Sequence, residues 1–111
     1  TPVLPCAPLL QQLNINVGDL FPARGFSMQP TINDGDSILI RRSKDKPSVG
    51  QIIFYYDWLS KSYVAHRVVE VGENGRGWVA WTKGDNKAEW DFLPVRAEEM
   101  WGVVLWRVTI W

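Results

Sequence analysis

Apolar positions along the chain come in short blocks, and no block keeps a helical period over ten or more residues. Gln51-Ile52-Ile53-Phe54-Tyr55-Tyr56 is a continuous β-branched and aromatic run, which predicts a buried strand. Tyr63 to Val71 alternates. Strand geometry puts Tyr63, Ala65, Arg67, Val69 and Val71 on one face, and Val64, His66, Val68 and Glu70 on the other. Further strands are expected at Asn14–Phe21, Asp36–Arg42 and Trp78–Thr82, with a long closing strand at Trp101–Ile110. The segments between them are polar and rich in turn residues. Asp57–Lys61 reads as a hairpin turn, and Glu73-Asn74-Gly75-Arg76-Gly77 carries the Asn-Gly signal of a tight one. Ser43–Gly50 and Lys83–Pro94 are connections. Thr1–Pro8 holds three prolines and resists regular structure, and Leu9–Leu13 has room for one helical turn. The pattern predicts a mostly-β domain of curled or barrel-like antiparallel sheet with little helix. An N-terminal extension (1–17) precedes a core (18–111).

Composition narrows this picture. A chain of 111 residues holds one hydrophobic core and not two. Its 46% hydrophobic and 22% charged residues suit a folded domain. Twelve basic residues balance twelve acidic ones, so nothing draws the chain to nucleic acid. Cys6 is the sole cysteine, which excludes an internal disulfide, and no cluster has the spacing of a metal site. No metal and no cofactor is expected. No apolar run reaches the roughly 18 residues that would span a bilayer. Seven tryptophans is a high number for this length, and indole is favoured both in cores and at membrane interfaces. Trp101, Trp106, Ile110 and Trp111 either finish the core or border a bilayer.

The candidate chemistry starts at Gly25-Phe26-Ser27-Met28-Gln29-Pro30-Thr31-Ile32-Asn33-Asp34-Gly35-Asp36. Pro30 restricts Gln29, and Asn33-Asp34-Gly35-Asp36 is a turn signal, so Ser27 is expected on a constrained loop just before a strand. A serine near a turn is ordinarily a turn residue, and its hydroxyl is a poor nucleophile until a base takes its proton. The one histidine of the chain, His66, is the natural base, since an imidazole ordinarily titrates at a pKa of about 6.5. A third group would orient the imidazole. Asp85 and Asp91 in Thr82-Lys83-Gly84-Asp85-Asn86-Lys87-Ala88-Glu89-Trp90-Asp91 are both candidates, and spacing does not choose between them. Lys83 is the nearest alternative base.

Five blocks in order, Ser27-Met28-x-Pro30-Thr31 followed by Gly35-Asp36, then Val49-Gly50-Gln51-Ile52-Ile53-Phe54, His66-Arg67-Val68, Thr82-Lys83-Gly84-Asp85-Asn86 and Gly102-Val103-Val104, resemble type I signal peptidase. The resemblance runs from about Gly18 to Val104. It implies the β fold shared by signal peptidases and the C-terminal domains of SOS repressors. Histidine at position 66, followed by Arg-Val, resembles the archaeal and endoplasmic-reticulum branch; the bacterial housekeeping enzymes and the self-cleaving repressors put lysine there. On this resemblance Ser27 is the nucleophile, His66 the general base, and Asp85 and Asp91 the acidic positions, Asp91 being the better match to the residue that orients the histidine. Gly25, Met28, Gln29 and Pro30 would lie against the substrate, with Met28 below the nucleophile and Gln29, Pro30 and Ile52–Tyr55 as groove walls. The family often carries a serine side-chain donor where this chain has Gly25.

The substrates implied are secretory precursors with small residues one and three positions before the cut, docked as an added strand. The family's membrane anchor is not found in Thr1–Phe21, which is too short and polar to span, so the anchor is expected outside these residues or the chain is a soluble relative. A catalytic domain at the extracytoplasmic or lumenal face of a membrane is implied. Two other expectations share the fold: a self-cleaving regulatory domain of the repressor type, and a non-catalytic peptide-binding module.

Overall fold

The computed structural model of the protein describes residues 19–108. Seven strands form one antiparallel sheet: β1 (Leu20–Pro22), β2 (Ser37–Arg42), β3 (Ile52–Asp57), β4 (Ser62–Asn74), β5 (Gly77–Lys83), β6 (Val95–Arg96) and β7 (Met100–Val108). Their spatial order is β1-β2-β7-β3-β4-β5-β6, so the sheet is mostly-β as expected but open, with β1 and β6 at its two edges. The Asn14–Phe21 strand survives only as Leu20–Pro22 among the described residues. Its first residues, Asn14–Gly18, the Leu9–Leu13 turn, Cys6, Ile110 and Trp111 lie outside them. The sole helical element among the described residues that carries a full turn is the 3-10 turn Ala97–Glu99.

Apolar residues cover both faces of the central strands. Ile53, Tyr55, Val68, Ala80, Val95, Met100 and Val103 form one buried cluster. Met28, Ile32, Ile38, Ile40 and Phe54 form the other, with Ile52, Ala65 and Trp101 packed against it. Successive residues of β3 thus serve opposite clusters, which is the period of two that a strand imposes. Full burial of each Ile or Val contributes about 1.5–3 kcal/mol. Ile38, Ile40, Ile53 and Val68 are each under 2% exposed, so each makes this contribution in full.

The strict alternation expected along β4 is broken. Val68 pairs with Thr82 and Glu70 with Trp81, leaving Val69 as an extra residue in a bulge. A bulge inserts one residue and reverses the parity beyond it. Val71 therefore packs with Val64 and Val68 and not with Ala65. Further register shifts lie opposite β7, between Leu39 and Ile40 and between Phe54 and Tyr55. At both, β7 has one residue more than the neighbour it pairs with, β2 on one side and β3 on the other. Gly102 permits the closest approach there, because a Cβ would collide with the Arg41 carbonyl.

One feature had no sequence signal. β6 is two residues long and pairs Val95 and Arg96 with Ala80 and Val79, at the end of a stretch expected to be irregular. A pair that short has no alternation to read. Trp101 belongs to the core, edge-on to Phe21 and Tyr63 and under the Arg42 guanidinium, whereas Trp106 is 48% exposed.

Candidate active site

The loop between β1 and β2 is closed by its own backbone. Ala23 N–H donates to Asp36 O at 2.7 Å and Gly35 N–H to Ala23 O at 2.9 Å. Inside this frame the chain turns tightly over Phe26–Ile32, with Gln29 N–H on Phe26 O and Ile32 N–H on Met28 O, and with a cis Gln29–Pro30 peptide. Met28 and Ile32 point into the core and anchor the turn. From the far side, the β5–β6 connection grips the same turn. Asn86 N–H donates to Ser27 O at 2.8 Å and its side-chain amide to Phe26 O at 2.9 Å. Gly84 lies so close that a Cβ would sit 2.6 Å from Ser27 O, which explains glycine in that block.

Ser27 Oγ stands 2.9 Å from His66 Nε2. On the other edge of the ring, His66 Nδ1 is 2.5 Å from Asp91 Oδ2. Asp91 is delivered by the chain after β5, where its N–H donates to Thr82 O at 2.8 Å. Burial works to raise the Asp91 carboxyl, but hydrogen bonds from His66 and Thr82 outweigh it and hold the group below its ordinary value. Asp91 is therefore ionised near neutral pH and only accepts. That assigns the tautomer: Nδ1 carries the proton and donates to Asp91, and Nε2 accepts from the Ser27 hydroxyl.

Asp85 does not reach His66. It accepts Arg67 Nε–H and Nη2–H at 2.8 Å each and the Thr31 hydroxyl at 2.6 Å. The Arg67 hydrogen bonds, chiefly, hold its carboxyl below the ordinary range, and Asp85 in turn raises Arg67. Arg67 also donates to Gly50 O, and Asp85 N–H points at Met28 Sδ, 3.2 Å away. Asp85 thus clamps the serine turn to β4. Lys83 Nζ, the alternative base, is engaged by Gly84 O at 3.0 Å.

An apolar cleft of about 450 Å³ opens beside Ser27. Phe21, Met28, Ile32, Phe54, Tyr63 and Trp101 supply its walls, and Gly25 and Ser27 line it too. Gln29 and Pro30, expected as groove walls, are not among its lining residues, because the turn that presents Ser27 carries the two past it. Of Ile52–Tyr55, only Phe54 faces the cleft; Ile53 and Tyr55 belong to the opposite cluster. Gly25 holds φ at +87°, and its N–H donates to Asp34 Oδ1 at 2.8 Å. Among the described residues, the Ser27 N–H donates to no acceptor, and no group of three or more His, Cys, Asp or Glu is placed to hold a metal ion.

Sequence reading passed over Tyr55 and Thr82. The Tyr55 hydroxyl is 3.2 Å from Asp91 Oδ2 and 3.1 Å from Thr82 Oγ1, and Thr82 donates to Asp91 Oδ2 at 2.7 Å. The available signal was that a tyrosine in a fully buried run needs a partner for its hydroxyl. Burial, above all, pushes the Tyr55 phenol far up, so it stays protonated.

No protein-family model matches the chain, and no solved structure matches it. Among curated proteins it is similar to Signal peptidase I W of Bacillus subtilis (strain 168), with 35% identity over 77 residues, 67% of this chain. The chain spans about 40% of the length of that relative. Partial as it is, this match supports the type I signal peptidase family for the chain.

Proposed function

We propose that the protein is a serine endopeptidase of the signal-peptidase type, with a Ser-His-Asp mechanism of the archaeal and endoplasmic-reticulum branch. The observation that carries this is the unbroken hydrogen-bonded series from Ser27 Oγ through His66 to Asp91, set beside an apolar cleft. Ser27 Oγ attacks the scissile carbonyl carbon as His66 Nε2 takes its proton, and Asp91 stabilises the imidazolium that forms. His66 then gives that proton to the leaving amine, which departs from the acyl-enzyme. A water deprotonated by His66 releases the acyl group. The Ser27 N–H is the available oxyanion donor.

The substrates in this reading are secretory precursors cut after small residues, in an Ala-x-Ala pattern. The site works at a membrane surface, on its extracytoplasmic or lumenal side. Phe26 next to Ser27, and Trp90 and Phe92 on either side of Asp91, are 62%, 51% and 83% exposed, which supports an apolar environment around the site. Among the described residues no helix is long and apolar enough to cross a membrane.

Incubation with a precursor peptide bearing an Ala-x-Ala site tests the reading. Cleavage is expected from the unaltered chain and from neither Ser27→Ala nor His66→Ala. Cleavage that persists in both variants removes the pair from the mechanism. Gly25 favours a second reading, a peptide-binding module without turnover, since no side chain at that position adds an oxyanion donor. Peptide bound but never cut by the unaltered chain would select it.

A further inference from the structure

We infer that Tyr55 and Thr82 are positioning residues, whose two hydroxyls hold the Asp91 carboxylate against His66 Nδ1. This rests on the Ser-His-Asp reading and extends it to β3 and β5.

Register brings the three strands' residues together. Val68 pairs with Thr82 across β4 and β5, and Val64 pairs with Tyr55 across β3 and β4. His66 lies between Val64 and Val68 on the same face, so both hydroxyls are its diagonal neighbours. Each hydroxyl has one hydrogen to give. The Thr82 hydrogen goes to Asp91 Oδ2, at 2.7 Å. The Tyr55 hydrogen is shared between Thr82 Oγ1 at 3.1 Å and Asp91 Oδ2 at 3.2 Å. The Tyr55 oxygen also stands 3.5 Å from His66 Nδ1, whose own hydrogen is committed to Asp91. One carboxylate oxygen therefore collects the ring N–H and the hydroxyls, and the carboxylate cannot turn without losing them together.

Packing alone does not call for these hydroxyls. Tyr55 is 4% exposed in a cluster otherwise made of Ile53, Val68, Ala80 and similar side chains, and Thr82 is fully buried. Phenylalanine and valine would fill the same space without a polar atom to desolvate. Every side-chain partner of the Tyr55 hydroxyl is either a member of the proposed triad or Thr82.

The test uses Tyr55→Phe, Thr82→Val and Thr82→Ser in the full chain, each confirmed folded by circular dichroism. Tyr55→Phe and Thr82→Val should each lower kcat about tenfold, the effect of one lost hydrogen bond to a charged group. KM for the Ala-x-Ala peptide should stay within about twofold, since neither residue touches substrate. The double variant should lose less than the product of the two, because both act on one oxygen. Thr82→Ser should recover the activity that Thr82→Val loses. His66 is the sole histidine in the sequence, so its low-field Nδ1–H proton resonance is assigned without ambiguity. That resonance should move upfield or broaden in Tyr55→Phe and Thr82→Val and return in Thr82→Ser. Should Tyr55→Phe fail to fold, the Thr82 pair decides. Unchanged kcat and unchanged resonance in the folded variants overturn the inference alone; cleavage that survives His66→Ala overturns the reading beneath it.

Discussion

Replacing Asp85 by asparagine separates the two acidic positions of the Lys83–Asp91 stretch. The substitution keeps the volume and one carbonyl oxygen but removes the charge that Arg67 grips at two points. Breaking a fully buried pair costs about 3–5 kcal/mol, and breaking an exposed one about 0–1 kcal/mol. The side chains of Asp85 and Arg67 are 18% and 36% exposed, so solvent screening reduces the loss, while the bidentate geometry and the Thr31 hydroxyl add to it. We expect a destabilisation of about 2 kcal/mol. For a domain of this size that is a fall in Tm on the order of 10 °C. Thermal unfolding by circular dichroism at pH 7 reads it. Cleavage assayed at 25 °C, where the variant is still folded, should fall far less than in Asp91→Asn. In Asp91→Asn an amide oxygen or nitrogen replaces the carboxylate that fixes the Nδ1–H tautomer, and loss of that partner in a Ser-His-Asp site lowers kcat by about 10⁴. An Asp85→Asn variant whose Tm stays within about 2 °C of the parent while cleavage is abolished would refute the clamp and place Asp85 in the chemistry.

The sign of the pH dependence follows from the same contacts. Arg67, first of all, lowers the Asp85 carboxyl in the folded state, so its stabilising contribution is complete above the unfolded value of about 3.9 and is lost as pH falls through the folded one. The Tm difference between parent and Asp85→Asn should hold steady from pH 7 to about 5 and close below about pH 4; a gap that widens in acid contradicts the assignment.

Three further outcomes are expected. Gly84→Ala drives a Cβ into the Ser27 carbonyl, so unfolding by denaturant should report a loss of about 1–3 kcal/mol together with reduced kcat; a neutral result would mean the serine turn is not held there. Gly25→Ser, in the cleft that Ser27 also lines, meets open space but a φ of +87°, and its unfolding free energy should drop by about 1 kcal/mol; a raised Tm would contradict that. The rate of cleavage should fall on the acid side, because a protonated imidazole cannot take the Ser27 proton, and a rate still climbing well above about pH 9 would point to a lysine base instead.

The strands of this chain were legible wherever the pattern was local. The Ile52–Tyr56 run and the alternation from Tyr63 to Val68 carry their geometry in adjacent residues and lie in the sheet as read, and the Asn74-Gly75 signal marks a hairpin that turns one position later, at Gly75-Arg76 between the paired Asn74 and Gly77. Where geometry depends on a partner strand, no local pattern marks it. Nothing in Val68-Val69-Glu70 announces a bulge; it exists because β5 pairs Glu70 with Trp81, and only that pairing sends Val71 to the other face. β6 fails for the same reason, being a strand solely by virtue of β5. At the site, Ser27, His66 and Asp91 were readable as residue types suited to one chemistry, and their spacing left Asp85 and Asp91 equal. What distinguishes them is Arg67. Its position on the strand directly after His66 puts it on the opposite face, where it takes Asp85 and leaves Asp91 to the histidine.

That opposition explains why one short connection does two jobs. Successive residues of β4 face opposite ways, so His66 and Arg67 draw the two ends of the Asp85–Asp91 segment to different sides of the sheet. The near end, with Gly84, Asp85 and Asn86, locks onto the Ser27 turn through Thr31, Ser27 O and Phe26 O. The far end returns to Thr82 and presents Asp91 to the ring. Serine and carboxylate are thereby fixed to the same segment, with the histidine between them supplied by the sheet. A change in the length of this connection should thus disturb both hydrogen bonds of His66 at once, whereas the Asp85 clamp can be weakened without displacing Asp91. The contrast between Asp85→Asn and Asp91→Asn is the experimental form of that distinction.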